Sequence, residues 1–171
     1  MPTTLYDLPE IEYLDGRAHV KVSPRLTHGR VQLAIAGALM NAAGSRGVVA
    51  TEVRFNPGAL DGSKTELVPD VAVIAAERLG ALAEADREKP PFSPDIAVEV
   101  RSPSDDLRYL QRKIARYLAT GSSLVLDVAP VQRCIVAYSG DGITTFSAGE
   151  TFEHSAVPWL RFAIDSVMTL R

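Results

Sequence analysis

The sequence predicts an α/β fold, a mixed central β-sheet flanked by helices and preceded by an amino-terminal hairpin. Three observations carry that reading. Two short apolar runs, Ile96-Ala97-Val98-Glu99-Val100 and Leu124-Val125-Leu126-Asp127-Val128, have the length and β-branched content of strands. The stretch between them carries apolar residues at helical spacing, and such a strand-helix-strand unit places its strands parallel. Hairpin signals before and after that unit add antiparallel partners, which makes the sheet mixed.

Taken in order, Ile11–Leu14 and Arg17–Val22 flank Asp15-Gly16, a dipeptide suited to a tight hairpin turn. Val31, Ala34, Ile35, Ala38, Leu39 and Ala42 then mark one face of a long helix that Gly44 can close. Val48–Phe55 favours a half-buried strand, with Ala50, Glu52 and Arg54 on one face. A turn-rich loop from Asn56 to Ser63 leads to a core strand over Val68–Ile74, and residues 75–94 read as a short helix and an exposed connection. After the strand 95–100, Leu107, Leu110, Ile114, Tyr117 and Leu118 form a helical stripe, with Ser104, Asp105 or Asp106 as cap and Gly121 as stop. Cys134–Tyr138 and Ile143–Phe146 form a second hairpin around Ser139–Gly142. The tail carries Trp159, Leu160 and Phe162, which need cover either internally or from a partner, while Asp165 or Ser166 can cap a final turn.

With 171 residues, 46% hydrophobic and 23% charged, the chain is expected to be a single domain over 1–171 with a packed core. That composition argues against disorder and against a coiled coil. No apolar stretch is long enough to span a bilayer, and Met1-Pro2-Thr3-Thr4 lacks a basic segment followed by an apolar one, so the expected location is the cytoplasm. The single cysteine, Cys134, excludes an internal disulfide and a multi-cysteine zinc site, and its apolar surroundings suggest a buried structural thiol. A net charge of −3 gives no whole-molecule attraction to nucleic acid, so a phosphate substrate would need a local basic site or a bound cation.

Two acids stand out from their surroundings. Asp70 follows Pro69 at the entrance of one strand, and Glu99 lies between Val98 and Val100 in another. An ionised carboxylate costs several kcal/mol to desolvate unless a cation or good donors compensate it. Two acids at neighbouring strand ends suit magnesium, which takes oxygen ligands and often only one or two protein carboxylates. Arg101 lies two positions beyond Glu99, on the same strand face, and Lys113 falls at the edge of the apolar helical stripe. Either cation can neutralise charge on a phosphoryl group or orient water.

Val68-Pro69-Asp70-Val71, then Val98 through Asp105, then Lys113 with Tyr117 and Gly121, resemble the Uma family of nucleases in the restriction-endonuclease-like, PD-(D/E)XK superfamily. The order of the Asp15-Gly16 hairpin, the helix start containing His28 and the strand at Asp127-Val128 fits as well. The resemblance implies a magnesium-dependent endonuclease acting on phosphodiesters, with DNA as the favoured nucleic acid, manganese as an alternative ion, and often a homodimer. It makes Asp70 and Glu99 the metal-binding acids, the Val100 carbonyl a further ligand and Glu52 a third carboxylate, with His28 contacting phosphate. The superfamily lysine two residues after the second acid is here Arg101, which stays charged and is a poor proton acceptor. Lys113 on the following helix takes that role in the resemblance. A catalytically silent binding or assembly module on the same fold is the competing reading, motivated by Arg101 and the acidic net charge. Ser102 and Ser104 show no histidine partner by sequence order and read as turn or cap residues, Arg112 and Arg116 as solvating a helix face, Tyr117 as core with its hydroxyl at the rim, and His19 and His154 attract no role.

Overall fold

Asp15 and Gly16 both adopt positive φ, 52° and 74°, the left-handed pair that a two-residue hairpin turn needs. They join β1 (Ile11–Leu14) to β2 (Arg17–Val20) in antiparallel register, Leu14 opposite Arg17 and Ile11 opposite Val20. The computed structural model describes residues 10–59 and 61–168, so the reading of Met1–Thr4 lies outside the described residues.

The expected long helix is α1 (Leu26–Ala43), whose buried stripe includes Val31, Ile35, Leu39 and Ala43, with Gly44 as its carboxy-terminal cap. The strand expected over 48–55 is shorter. β3 (Gly47–Thr51) stops where Glu52 takes a φ of 56°, a conformation that breaks extended pairing. β4 (Val71–Ala75), the short helix α2 (Ala76–Gly80), β5 (Ile96–Val100), α3 (Leu107–Ala119) and β6 (Leu124–Ala129) follow. The second hairpin is β7 (Cys134–Ser139) and β8 (Gly142–Ser147). A small antiparallel pair, β9 (Thr151–Glu153) with β10 (Arg161–Ala163), leads into α4 (Ile164–Met168).

The six-stranded sheet runs β3-β4-β5-β6-β7-β8. Only β5 and β6 are parallel, as the strand-helix-strand reading requires; the remaining pairs are antiparallel. Because side chains alternate along a strand, each central strand feeds two layers. On one face Val71, Val98, Val100, Leu126 and Ile135 pack with α1, α4 and the β9-β10 segment. On the other, Ala97 and Val125 pack under Leu110, Ile114 and Tyr117 of α3, together with Leu14 of the hairpin. Glu99 is two residues from Ala97, and Asp127 two from Val125, so both acids share the α3 face.

Asp106 caps α3, its carboxylate accepting from the Arg108 and Tyr109 N–H groups. Several expectations change. Leu107, the first residue of α3, is exposed and lies outside the buried stripe. Cys134 is half-buried at the start of β7, not sealed in the core. Leu160 and Phe162 are covered internally and Trp159 packs against the same core, so the tail needs no partner for cover. Asp165 lies inside the first turn of α4 and does not precede it as a cap. Among the described residues, no helix is long and apolar enough to cross a membrane.

Candidate active site

The register of β4 on β5 places the two singled-out acids together. Val71 stands opposite Val98, and one further step along this antiparallel pair sets Asp70 against Glu99. Directly opposed residues project to the same side of a sheet, with Cβ atoms about 5 Å apart. Both acids line one cleft of about 320 Å³, whose walls also include Glu12, Lys21, His28, Ser102 and Lys113.

Asp70 is buried and held by donors. Its Oδ2 accepts the Val100 N–H at 2.7 Å, while its Oδ1 lies 3.2 Å from Lys21 Nζ and 3.4 Å from His28 Nε2. Burial alone would raise its pKa. The His28 hydrogen bond, the charges of Lys21 and His28 and the Val100 N–H outweigh it and hold the carboxyl at about 2. Asp70 in turn raises the pKa of His28, against the opposing effect of burial.

Glu99 is differently placed. Its Oε1 accepts from Tyr117 OH at 2.8 Å and lies 2.7 Å from Lys113 Nζ. Burial dominates and, despite Lys113, pushes its pKa up to about 7, with Asp70 and Glu12 adding repulsion. Lys113 must divide its charge, because its Nζ also donates to both oxygens of Glu12 at 2.8 and 3.1 Å. Burial opposes the ammonium, but Glu99 and Glu12 outweigh it and raise its pKa further. Lys113 therefore stays charged at neutral pH and acts as a buried cation, where the sequence placed it at the edge of a helical stripe with a basic role.

The other sequence candidates fall into distinct positions. Val100 lines the cleft, and its N–H is spent on Asp70. Arg101 does project to the α3 side, but β5 ends before it and its guanidinium grips Asp127, Nε to Oδ1 at 2.6 Å with a second contact to Oδ2. Asp127 is fully buried and stands opposite Glu99 on β6. This bidentate pair commits Arg101 to neutralising Asp127. Glu52 stands at the end of β3, partly exposed, and contacts Lys21 and Gln32. His28 reaches the cleft with Nδ1 3.2 Å from Ser102 Oγ, a histidine partner for Ser102 that the linear order hid. Tyr117 is wholly buried, its hydroxyl facing Glu99. Arg112 and Arg116 both engage Asp15 of the hairpin turn.

Glu12, Lys21, Gln32 and Asp127 were not singled out by the sequence reading. Glu12 carried a signal: it is two residues before the buried Leu14 on the same strand face, an acid among apolar neighbours. It accepts the Val68 N–H at 2.6 Å and the Tyr109 hydroxyl at 3.1 Å besides Lys113. Asp127 carried the equivalent signal inside an apolar strand. Lys21, just past β2, and Gln32, on α1, had none, because only the folded hairpin and helix bring them to Asp70 and Glu52. His19 stacks on Tyr109 at 3.8 Å between ring centroids and also lines the cleft. Among the described residues, no group of three or more His, Cys, Asp and Glu side chains is gathered to hold a metal ion; the candidate ligands are the Asp70 and Glu99 pair.

The family model described as "Uma2: Putative restriction endonuclease" matches residues 2–165. The chain belongs to this family. Within the Uma2 frame, a crystal structure of a putative nuclease of DUF820 from Anabaena variabilis superposes with a TM-score of 0.81, at 19% identity over 94% of this chain and 90% of that one. That likeness shows that the two chains share a fold. A cryo-EM DrdV–DNA complex aligns with a TM-score of 0.41, at 14% identity over 72% of this chain and 12% of that one. No curated protein matches the chain.

Proposed function

We propose that this chain is a magnesium-dependent nuclease that hydrolyses phosphodiester bonds in DNA, with Asp70 and Glu99 as the protein ligands of the ion and manganese as a substitute. The observation that carries the reading is the opposition of these two acids across β4 and β5, inside one cleft, in a chain of this family. The donor chemistry fits a hard cation. Asp70 is held ionised, both contacts described for Glu99 fall on Oε1, leaving Oε2 as the oxygen for the ion, and magnesium needs few protein ligands because it keeps water.

Bound there, the ion supplies Lewis-acid polarisation of a phosphate oxygen and makes water a stronger nucleophile at neutral pH. The protein residues do the rest. Val100 N–H and His28 fix the rotamer of Asp70. Tyr117 and Lys113 fix Glu99, and the Lys113 ammonium adds positive potential to the cleft that would take the phosphate. His28 keeps Nε2 on Asp70, so its donor toward a substrate phosphate is Nδ1, which would exchange its contact with Ser102 Oγ for the phosphate. A homodimer, if formed, uses a face other than Trp159–Phe162, whose apolar side chains are covered within the fold.

One set of observations favours the silent alternative. Arg101 is consumed by Asp127, and each cleft lysine already has three oxygens for its three protons, so neither has a donor in reserve. The separating experiment incubates the protein with linear and circular DNA, with and without magnesium or manganese, beside Glu99→Gln. Ion-dependent cleavage that falls at least a thousandfold in the variant supports the enzyme. Cleavage unaffected by chelator or by the substitution would refute the assignment, and no cleavage alongside intact DNA binding would favour the silent module.

A further inference from the structure

Lys21 sits in a place built for a cation. Its Nζ faces Glu52 Oε2, the Val68 carbonyl at 3.0 Å and Asp70 Oδ1 at 3.2 Å, two carboxylate oxygens and a carbonyl around one point charge. Each wall is anchored by something other than Lys21. Gln32 Nε2 donates to Glu52 Oε1 at 2.8 Å and to the Asp70 carbonyl at 2.9 Å, and the Val100 N–H holds the Asp70 carboxylate. The Val68 N–H is tied to Glu12. The oxygen cage therefore persists without the ammonium that fills it, and its ligand types are those a hard divalent ion accepts.

Resting on the metal reading above, we infer that Lys21 is a built-in counter-ion that occupies a second cation position beside Asp70, so that the cleft takes one divalent ion and not two. Occupancy supports the count. Two oxygens that a second ion would need, the Val68 carbonyl and Asp70 Oδ1, already face Lys21 Nζ at 3.0 and 3.2 Å. The chain position of Lys21 suits a counter-ion, since it follows β2 of the hairpin whose inward acid, Glu12 on β1, is itself spent on the other cleft lysine, Lys113. With three oxygens for three protons, Lys21 is a positioning residue for Asp70 and has no proton free for a substrate phosphate.

The test counts ions on the full chain after chelator treatment, by calorimetric titration with manganese and by the manganese paramagnetic resonance signal. Wild type should take one ion. Lys21→Met should take two, with spin coupling between neighbouring ions and a melting temperature that manganese raises more than in wild type. Glu52→Gln, at a partly exposed side chain that puts folding at little risk, should keep one ion with affinity lowered less than tenfold, the effect of one lost charge at a distance and not of a lost ligand. One ion in both wild type and Lys21→Met, or two in wild type, overturns the inference and leaves the nuclease reading standing. A tenfold or greater loss of affinity in Glu52→Gln also overturns it, since Glu52 would then ligate the resident ion. No ion in wild type but one in Lys21→Met supports the counter-ion and defeats the metal reading; none in either defeats both.

Discussion

Asp70 and Glu99 face one another from adjacent strands, yet the two ends of the cleft favour opposite charge states. Asp70 meets a backbone N–H, an ammonium and an imidazole, and its pKa is held at about 2. Glu99 is enclosed beneath α3, meets a phenol and a lysine already committed to Glu12, and rises to about 7. Strand position does not separate them; the number and kind of donors around each acid do. A pair of carboxylates pushed apart in this way gives a site one permanent anion and one group whose charge is adjustable near neutral pH.

The strongest way to break the contrast is to remove the cation on the Glu99 side. Lys113→Met leaves Glu12 and Glu99 buried together without an ammonium, and uncompensated buried charge of this kind costs about 3–5 kcal/mol. Urea unfolding at pH 8 in chelator should record a loss of that order. Adding Glu12→Gln to the variant should recover a substantial part of it, because one of the two stranded anions is then gone. A loss below about 1 kcal/mol, or no recovery, would mean that water and relaxation at this end already compensate the acids.

Acidity sharpens the comparison next. The folded pKa of Asp70 lies below its ordinary 3.8, so its contribution to stability is complete above that value and is lost as pH falls toward about 2. The difference corresponds to about 2 kcal/mol. Glu99 behaves in the opposite sense. Its folded value lies above the ordinary 4.5, so the proton it retains stabilises the fold at low pH, and that contribution is lost as pH rises through about 7. Stability measured from pH 2 to 8 in chelator should therefore flatten on the acid side in Asp70→Asn and on the neutral side in Glu99→Gln. Identical profiles in both variants and wild type would erase the distinction between the two ends.

How much of this could be read from the chain divides along the same line. The hairpin at Asp15-Gly16, the long first helix, the parallel β5-β6 pair and the paired acids were legible, because periodicity and turn chemistry are local. So was the oddity of Glu99 inside Val98 and Val100. What the chain did not disclose was who accompanies each acid. Lys21 and Asp70 are 49 positions apart, as the numbering shows, and Glu12 and Lys113 are separated by 101. Nothing in the helical spacing of Lys113 says that a hairpin acid will fold over it and bury it. Arg101 was placed on the correct side of the sheet, but its partner lay on β6, and only the register of β5 on β6 brings Asp127 within reach.

The smallest expected effect isolates the Glu99 end without altering formal charge. Tyr117→Phe removes the hydroxyl that donates to Glu99 Oε1 at 2.8 Å and keeps the ring that fills the core beside Leu110 and Ile114. A hydrogen bond to a charged group contributes about 1.5–3 kcal/mol when that group is ionised, and less when it is neutral. Because Glu99 changes state near pH 7, the cost of the substitution should itself depend on pH: near the upper figure at pH 8.5, where the carboxylate needs the donor, and about 1 kcal/mol or less at pH 5.5. The carboxyl carbon of Glu99, followed by nuclear magnetic resonance, should titrate at a higher pH in the variant than in wild type, since the ionised form has lost a partner. Asp70 should be unmoved, its donors being Val100, Lys21 and His28. A cost that is the same at both pH values, with a Glu99 titration that does not move, would show that Tyr117 supports packing alone and that Lys113 by itself sets the charge of this end of the cleft.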